Sequence, residues 1–395
     1  MLVKDKQPTA LQIALERARD PALVSLALGM PAADLFPCES VRAAAASVFR
    51  DGASALQYGV PEMRLKEHIT QMMHVRGVDC TEDEVFLTTG AQQALGLLAQ
   101  MLLTRERNAI LVENAVYPGF IQAVEPLSPH LTCVPPDATA GIDIEALVRM
   151  LHNGEVPAFL YTMSTGHNPL GSTMTGKRRA ELTECAAHYG FPIVEDDAYG
   201  FLQYDTVPAP SLRSLSPDLV FYVGSLSKIL APAFRVGWII SPKACTRTLS
   251  ALKEGCDLDT ATLAQRIACR YLDSNNLLDH VLKLRNEYRK RRDVLHEALS
   301  RHLGTIAYWE RPSAGFFFWV KSEAFGDTGD LLSAALANGV AFVPGTAFSP
   351  KPSRDHEHSI RLSLSQQPSD LIAEGIAKIA LTVRQCNTTP LPHAV

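Results

Sequence analysis

Residues 223–238 read VGSLSKILAPAFRVGW, an apolar strand-like run that ends in Ser-x-Ser-Lys and is followed, seven residues after Lys228, by Arg235. A lysine at a strand end in apolar surroundings loses hydration, which lowers its pKa and frees the amine to condense with a carbonyl. The hydroxyls of Ser225 and Ser227, with the guanidinium of Arg235, suit a phosphate. Taken alone, the pattern is short enough to arise by chance around a surface lysine.

On either side of this stretch, short apolar runs alternate with amphipathic ones. VFLTTG (85–90), NAILVEN (108–114), AFLYTM (158–163), PIVEDD (192–197), LVFYVGS (219–225) and RVGWIIS (235–241) read as strands, with AQQALGLLAQMLL (91–103) and KRRAELTECAAHYG (177–190) as helices. This rhythm predicts a mostly parallel sheet with crossover helices, an α/β architecture. From about Ala261 to Leu303 the pattern turns long and helical, with a basic outer face. GFFFWV, DLLSAALANG, VAFVPG and SIRLSLS then give a β-α-β-β order, read as a smaller α+β lobe. The tail CNTTPLPHAV is polar and predicted to be mobile.

With 395 residues, 47% hydrophobic and 20% charged, the chain can bury a sizeable core and divides into two or three lobes. A formal charge of −5 offers no general attraction to phosphate backbones or anionic lipid, so neither nucleic acid nor membrane is an expected partner. The basic run from Arg285 to Arg292 reads as a solvated face or as salt-bridge partners. The eight cysteines form no CxxC pair and have no histidine at zinc-ligand spacing, so no metal site is expected and the thiols read as buried and free in a reducing cytoplasm. The first twenty residues lack a continuous apolar stretch, against a secretory signal, and no run reaches the length of a membrane span.

Four further segments bear on Lys228. PIVEDDAYGFL (192–202) places Asp196 at the end of an apolar run and Tyr199 three residues on. A buried carboxylate can keep a pyridine nitrogen protonated, while a strand-end Asp equally well caps a turn. YTMSTGHNPLG (161–171) holds Asn168 in a Gly-flanked Asn-Pro turn. TTGAQQALGLLAQ (88–100) is strand, glycine turn and helix start, so the amides of Ala91 and Gln92 would face an anion. VENAVYPGF (112–120) puts Tyr117 just past a strand, where its ring could stack on an aromatic cofactor or fill the core. An amine, a phosphate cradle and a carboxylate for a ring nitrogen are together the needs of pyridoxal phosphate.

In this order and spacing the segments resemble fold type I pyridoxal-phosphate enzymes, specifically the class I/II aminotransferases near the 2-aminoadipate, kynurenine and multisubstrate enzymes. The resemblance runs from LALGMPAADLFP (26–37) and LQYGVPEMRLKEHI (56–69) to IRLSLSQQPSDLIAEGIAKIA (360–380). It implies a seven-stranded, mostly parallel sheet between helices in a large domain over 49–285, a small α+β domain over 286–395, and an N-terminal segment, 1–48, joining the small domain. It implies that Lys228 forms the Schiff base and shuttles the substrate proton, that Asp196 pairs with the pyridine nitrogen, and that Tyr199 and Asn168 bond the ring 3-oxygen. Tyr117 would stack on the ring. Ser225, Ser227, Arg235 and the turn at Ala91 and Gln92 would hold the phosphate, with Tyr58 reaching in from the second subunit of a homodimer. Arg361 would grip the substrate α-carboxylate with Asn168, and Gly29 would line the entrance.

The implied reaction moves an amino group from an L-α-amino acid to a 2-oxo acid. Departures stand at Ser164, where the family more often has Pro, at Leu170, where it has Thr, and at Ala233-Phe234, where it has Gly-Leu. None of these bonds the cofactor, but all shape the site, so a biosynthetic lyase, cyclase or oxidase on the same cofactor site is the alternative. A ligand-sensing regulator carrying this domain behind a winged helix is a third, disfavoured because the family motifs begin only a few dozen residues into the chain. The lack of a visible second carboxylate anchor and the Phe-rich 316–319 run lean toward apolar or aromatic substrates, although that run reads first as a buried strand.

Overall fold

The computed structural model describes residue 16 and residues 20–137, 141–154, 156–205, 209–351 and 353–388. Most of the first twenty residues, and 389–395 of the expected tail, lie outside that set. Cys386 to Thr388, read as the start of the tail, instead complete the helix Ser369–Thr388.

Seven strands form the central sheet: β2 (Val85–Thr88), β3 (Ala109–Glu113), β4 (His130–Val134), β5 (Phe159–Thr162), β6 (Ile193–Asp196), β7 (Val220–Ser225) and β8 (Gly237–Ile240). Their order is β2-β8-β7-β6-β5-β3-β4. Only β8 runs against its neighbours; the other pairs are parallel. Strands β5 to β8 are buried along their whole length, as expected of apolar runs covered on both faces. The edge strand β4, HLTCV, lacks such a run because only part of it is covered.

One face of the sheet receives the helix Ala91–Leu102, which buries Ala94, Leu95, Leu97 and Leu98. The other receives Ile144–Asn153 and Gly176–Tyr189, whose Leu147, Leu151 and Leu182 pack with Leu111, Leu160, Ile193 and Val220. Asp143 and Thr175 cap these two helices through hydrogen bonds from the backbone N–H groups of Ala146 and Arg178.

A second, three-stranded antiparallel sheet has the order β11 (Val343–Pro344), β12 (Ser359–Ser363), β9 (Phe317–Lys321). The run read as one strand, VAFVPG, is divided at Phe342: β10 (Val340–Ala341) pairs instead with β1 (Val24–Ser25). The N-terminal segment is thereby stitched to the chain's last third.

The helical stretch after Ala261 is two helices, Thr262–Ser274 and Leu277–Leu303, broken at Asn275 and Asn276. The Asn276 side chain accepts from the N–H of Leu278 and starts the second helix. The expected basic outer face is only partly exposed. Arg291 and Arg292 are buried, the first bonded to Asp34, Glu287 and the Ser365 carbonyl, the second to Asp205, Asp293 and the Pro312 carbonyl. The thiols are all free, but Cys38, Cys133, Cys256 and Cys386 are exposed rather than buried.

Candidate active site

The sheet's topology gathers the motifs. In a parallel sheet ligands sit at the carboxyl ends of the strands, and here β8, running the other way, begins at that same edge. Gly237 at the start of β8 pairs with Thr88 at the end of β2 and with Ser225 at the end of β7. The segments just outside this row surround a cavity of about 440 Å³, a size suited to a small-molecule ligand.

At one end is an anion cradle. The Ser225 hydroxyl donates to Ser227 Oγ at 2.9 Å, and Arg235 Nη1 donates to Ser227 Oγ at 3.4 Å. Arg235 Nη2 donates to the carbonyl of Thr89, beside the opening of the helix Ala91–Leu102, whose first N–H groups have no partner within the helix. Backbone approach here is close. A Cβ at Gly90, whose φ is +79°, would lie 2.4 Å from Arg235 Nη2, and one at Gly237 would lie 2.8 Å from the Ala91 nitrogen. Gln92 lines the cavity, and its side-chain amide donates to the Gly119 carbonyl. Tyr117 sits directly before the helix Pro118–Val124 with its ring over Gly119, where a Cβ would collide with the phenol.

Three acids stand in a row at the end of β6, and the structure separates them. Glu195 accepts from Ser164 and from the N–H groups of Leu212 and Arg213 and lies near Arg179, while Asp197 takes Arg76 at 2.8 Å and Tyr222 at 2.9 Å. Asp196 alone lines the cavity. Its Oδ2 accepts from Tyr161, and its Oδ1 is buried with no partner. Burial raises this carboxyl to about 6, against the lowering effect of the Tyr161 hydroxyl.

Lys228 Nζ donates to the Gly29 carbonyl at 2.8 Å and lies about 6 Å from the ring centres of Tyr199 and Phe316. Removal from water, with Arg361 and Arg235 nearby, lowers its ammonium to about 8. Tyr199 is buried, and burial pushes its phenol up. Arg361, from β12, lies between the rings of Phe317 and Phe348. It donates to Asn168 Oδ1 at 2.9 Å and to the Ala27 carbonyl at 2.6 Å, and its Nε is buried without a partner.

The structure therefore brings together every residue picked out in the sequence except Tyr58, which is 86% exposed and away from the cavity. It adds Leu28, Met30, Gln122, Met163 and Phe317 to the lining. Leu28 and Met30 flank Gly29 in the segment 26–37 and Met163 lies in 161–171, but the sequence assigns none of them, nor Gln122, a role at the site; Phe317 belongs to the Phe-rich run, and the fold sets its ring against Gly29. Outside the cavity lining, His68, Cys269 and Asp273 place potential metal-ligand atoms within 4.8 Å of one another. They are already joined, since Asp273 accepts from His68, Arg64 and the Cys269 thiol.

The residues fit pyridoxal phosphate. The cradle carries hydroxyls, a guanidinium and free helix N–H groups for a dianion. The unpartnered Asp196 Oδ1 awaits a cationic N–H, and the Lys228 amine, its pKa lowered by burial, lines the same cavity.

The chain belongs to the aminotransferase class I and II family, whose sequence model matches residues 22–379. It is 34% identical, over 92% of its length and 88% of the relative's, to aromatic-amino-acid aminotransferase 1 of Thermococcus litoralis. A Pyrococcus horikoshii kynurenine aminotransferase, solved with PMP, its substrate and its product, superposes with a TM-score of 0.90 at 32% identity, covering 98% of this chain and 96% of the other. The α-aminoadipate aminotransferase of Thermus thermophilus, solved with N-(5'-phosphopyridoxyl)-L-leucine, does so with 0.87 at 30% identity, covering 96% and 95%. The expected fold type I architecture holds, and the enzyme transfers amino groups between α-amino acids and 2-oxo acids with pyridoxal phosphate as cofactor.

Proposed function

We propose that the cavity over Lys228 performs this transfer on amino acids with apolar or aromatic side chains. The observation that carries the transfer chemistry is one cavity lined by the unpartnered Asp196 Oδ1, a lysine whose pKa is lowered, the cradle at Ser225, Ser227 and Arg235, and Arg361. Bound pyridoxal phosphate supplies an electron sink for the pair left when the amino acid loses its Cα proton. Ser225, Ser227, Arg235 and the N–H groups at Ala91 and Gln92 would hold its phosphate. Asp196 would keep a proton on the ring nitrogen, and Tyr117, Tyr199 and Asn168 would hold the ring. Lys228 anchors the cofactor and serves as the base for Cα. Arg361 and Asn168 fix the α-carboxylate, so the Cα–H bond is presented to Lys228 rather than to solvent.

Leu28, Met30, Met163 and Phe317 line the cavity, and beyond Arg235 and Arg361 no arginine among the described residues does. That favours an apolar side chain over a second carboxylate, in line with the aromatic specificity in the name of the Thermococcus relative. Gly29 sets the entrance: a Cβ there would lie 2.5 Å from the Phe317 ring.

Homodimerisation completes the site in this proposal. Leu56, Tyr58, Val60 and Met63 are more than half exposed along one short stretch of chain, and Gly59 in their midst lies against Thr262. Such an apolar surface calls for a partner, and a second copy would bring Tyr58 to the phosphate. The chain divides into 1–48, 49–285 and 286–395 in this proposal, a division supported by the pairing of β1 with β10, with the second boundary inside the helix Leu277–Leu303. The exposed free thiols favour a reducing, cytoplasmic setting.

Mixing the holoenzyme with a panel of L-amino acids and 2-oxoglutarate should give the highest kcat/KM with aromatic or large apolar donors, and sedimentation should give a dimer that weakens in Tyr58→Asp. A preference for acidic donors, or a monomeric active enzyme, would refute the respective part.

A further inference from the structure

Asp196 can serve a ring nitrogen only if its carboxylate is held with one oxygen toward the cavity. The cause lies behind it, on the neighbouring strand. Tyr161, on β5, donates its hydroxyl to Asp196 Oδ2 at 3.0 Å. Its ring is 1% exposed and does not line the cavity. It is stacked on Phe120 with centroids 3.7 Å apart and planes 5° from parallel, and Phe120 in turn meets the edge of Phe159 at 6.3 Å. The phenol oxygen therefore has a fixed position. The other ionisable groups near Asp196 are engaged elsewhere: Asp197 with Arg76 and Tyr222, Glu195 with Ser164 and the Leu212 and Arg213 N–H groups, and His167 near Glu113; the backbone N–H of Ala198 also favours the carboxylate form, so Tyr161 is the side chain that acts on it directly.

We propose that Tyr161 is a positioning residue for the transfer reaction: its hydroxyl, locked by the stack on Phe120, holds Asp196 Oδ2 from behind and so aims Oδ1 at the cofactor's ring nitrogen. The inference rests on the reading of Asp196 as that nitrogen's partner. A buried carboxylate oxygen deprived of its donor is costly, and two responses are open to Asp196. It can rotate away from the cavity, or it can take the proton that otherwise belongs to the ring nitrogen. Either response weakens cofactor binding and the ring's electron-withdrawing power while leaving the substrate carboxylate site at Arg361 untouched. A residue that merely filled the core would act on folding and leave ring-nitrogen protonation alone.

The test is a double-mutant cycle with Tyr161→Phe and Asp196→Asn, read by the Kd for pyridoxal phosphate and by the 15N resonance of ring-labelled cofactor in the holoenzyme. Tyr161→Phe keeps the stack and removes one oxygen. It should weaken cofactor binding about 10- to 100-fold, the effect of a hydrogen bond to a charged group, shift the nitrogen resonance toward the unprotonated position, and lower kcat with KM for the amino acid changed less than about twofold. In the Asp196→Asn background the same substitution should cost less than about twofold in Kd. Unchanged affinity and resonance in Tyr161→Phe, or equal losses in both backgrounds, would overturn the proposal. If Asp196→Asn itself moves neither readout, the reading of Asp196 fails and the role of Tyr161 falls with it; if Asp196→Asn moves both and Tyr161→Phe neither, only the role of Tyr161 fails. Phe120→Leu loosens the stack but keeps the hydroxyl, and so provides a second probe should Tyr161→Phe not fold. It should shift the resonance part of the way, and a wild-type resonance and affinity there would count against the proposal.

Discussion

Lys228→Ala should fold and keep the parent's oligomeric state, bind pyridoxal phosphate only through its phosphate and ring contacts, and lose activity by about 10⁴-fold, the upper end of a general acid–base contribution. The lysine reaches the cavity from the turn after β7 and bonds there only to a main-chain carbonyl, that of Gly29. Its removal takes away an amine and breaks no ion pair among the described residues. The check has two parts. Borohydride reduction followed by denaturation and mass mapping should fix the cofactor to Lys228 in the parent and nowhere in the variant. The pH dependence supplies the second part. Burial lowers the ammonium to about 8 from its ordinary 10.5, so the neutral, condensing amine is scarce at about pH 6 and dominant at about pH 9. Covalent uptake of the cofactor by apoprotein should therefore quicken as pH rises through about 8, and in Lys228→Ala no such step should exist. Substantial turnover in the variant would sink the assigned chemistry.

Arg361→Ala should leave cofactor affinity within a fewfold of the parent and raise KM for the amino acid about 10²- to 10³-fold, as expected when one partner of a buried, hydrogen-bonded charge pair is truncated. The guanidinium is clamped between Phe317 and Phe348 and tethered to Asn168 and the Ala27 carbonyl, so it is preorganised to meet a carboxylate at its free Nε side. Burial lowers it to about 10, and it remains cationic at neutral pH. Arg361→Lys should recover little, since a point charge cannot reproduce the planar fork. A variant that lost its cofactor while keeping its KM would move Arg361 from the substrate to the cofactor.

The parts of this molecule legible in sequence are those where burial on both faces writes itself as an apolar run. Strands β5 to β8 and the motifs along their shared edge are of this kind, and the residues of the cavity follow because the parallel strands end, and the reversed β8 begins, at that edge. What stayed hidden depends on contacts between distant segments. Strand β4 is covered along only part of its length and so carries no such run. The break at Asn275 and Asn276 is a capping event within an otherwise continuous helical pattern. Arg291 and Arg292 read either as a solvated face or as salt-bridge partners, and the second holds once Asp34 and Asp205, both remote in the chain, are folded against them. Tyr161 reads as one apolar residue of a strand, and its role depends on lying beside β6 with its hydroxyl at Asp196. The choice of Asp196 among three adjacent acids is explained by the structure, which gives its two neighbours arginine partners.

The most direct test of amino transfer at this site is a single half-reaction. Cofactor-loaded enzyme is mixed with excess L-phenylalanine and no 2-oxo acid, and the 2-oxo product, ammonia and cofactor form are measured together. The expected result is one equivalent of 2-oxo acid per protomer, no ammonia, and cofactor left as pyridoxamine phosphate until an acceptor is added; continued release of 2-oxo acid or ammonia without an acceptor would contradict it.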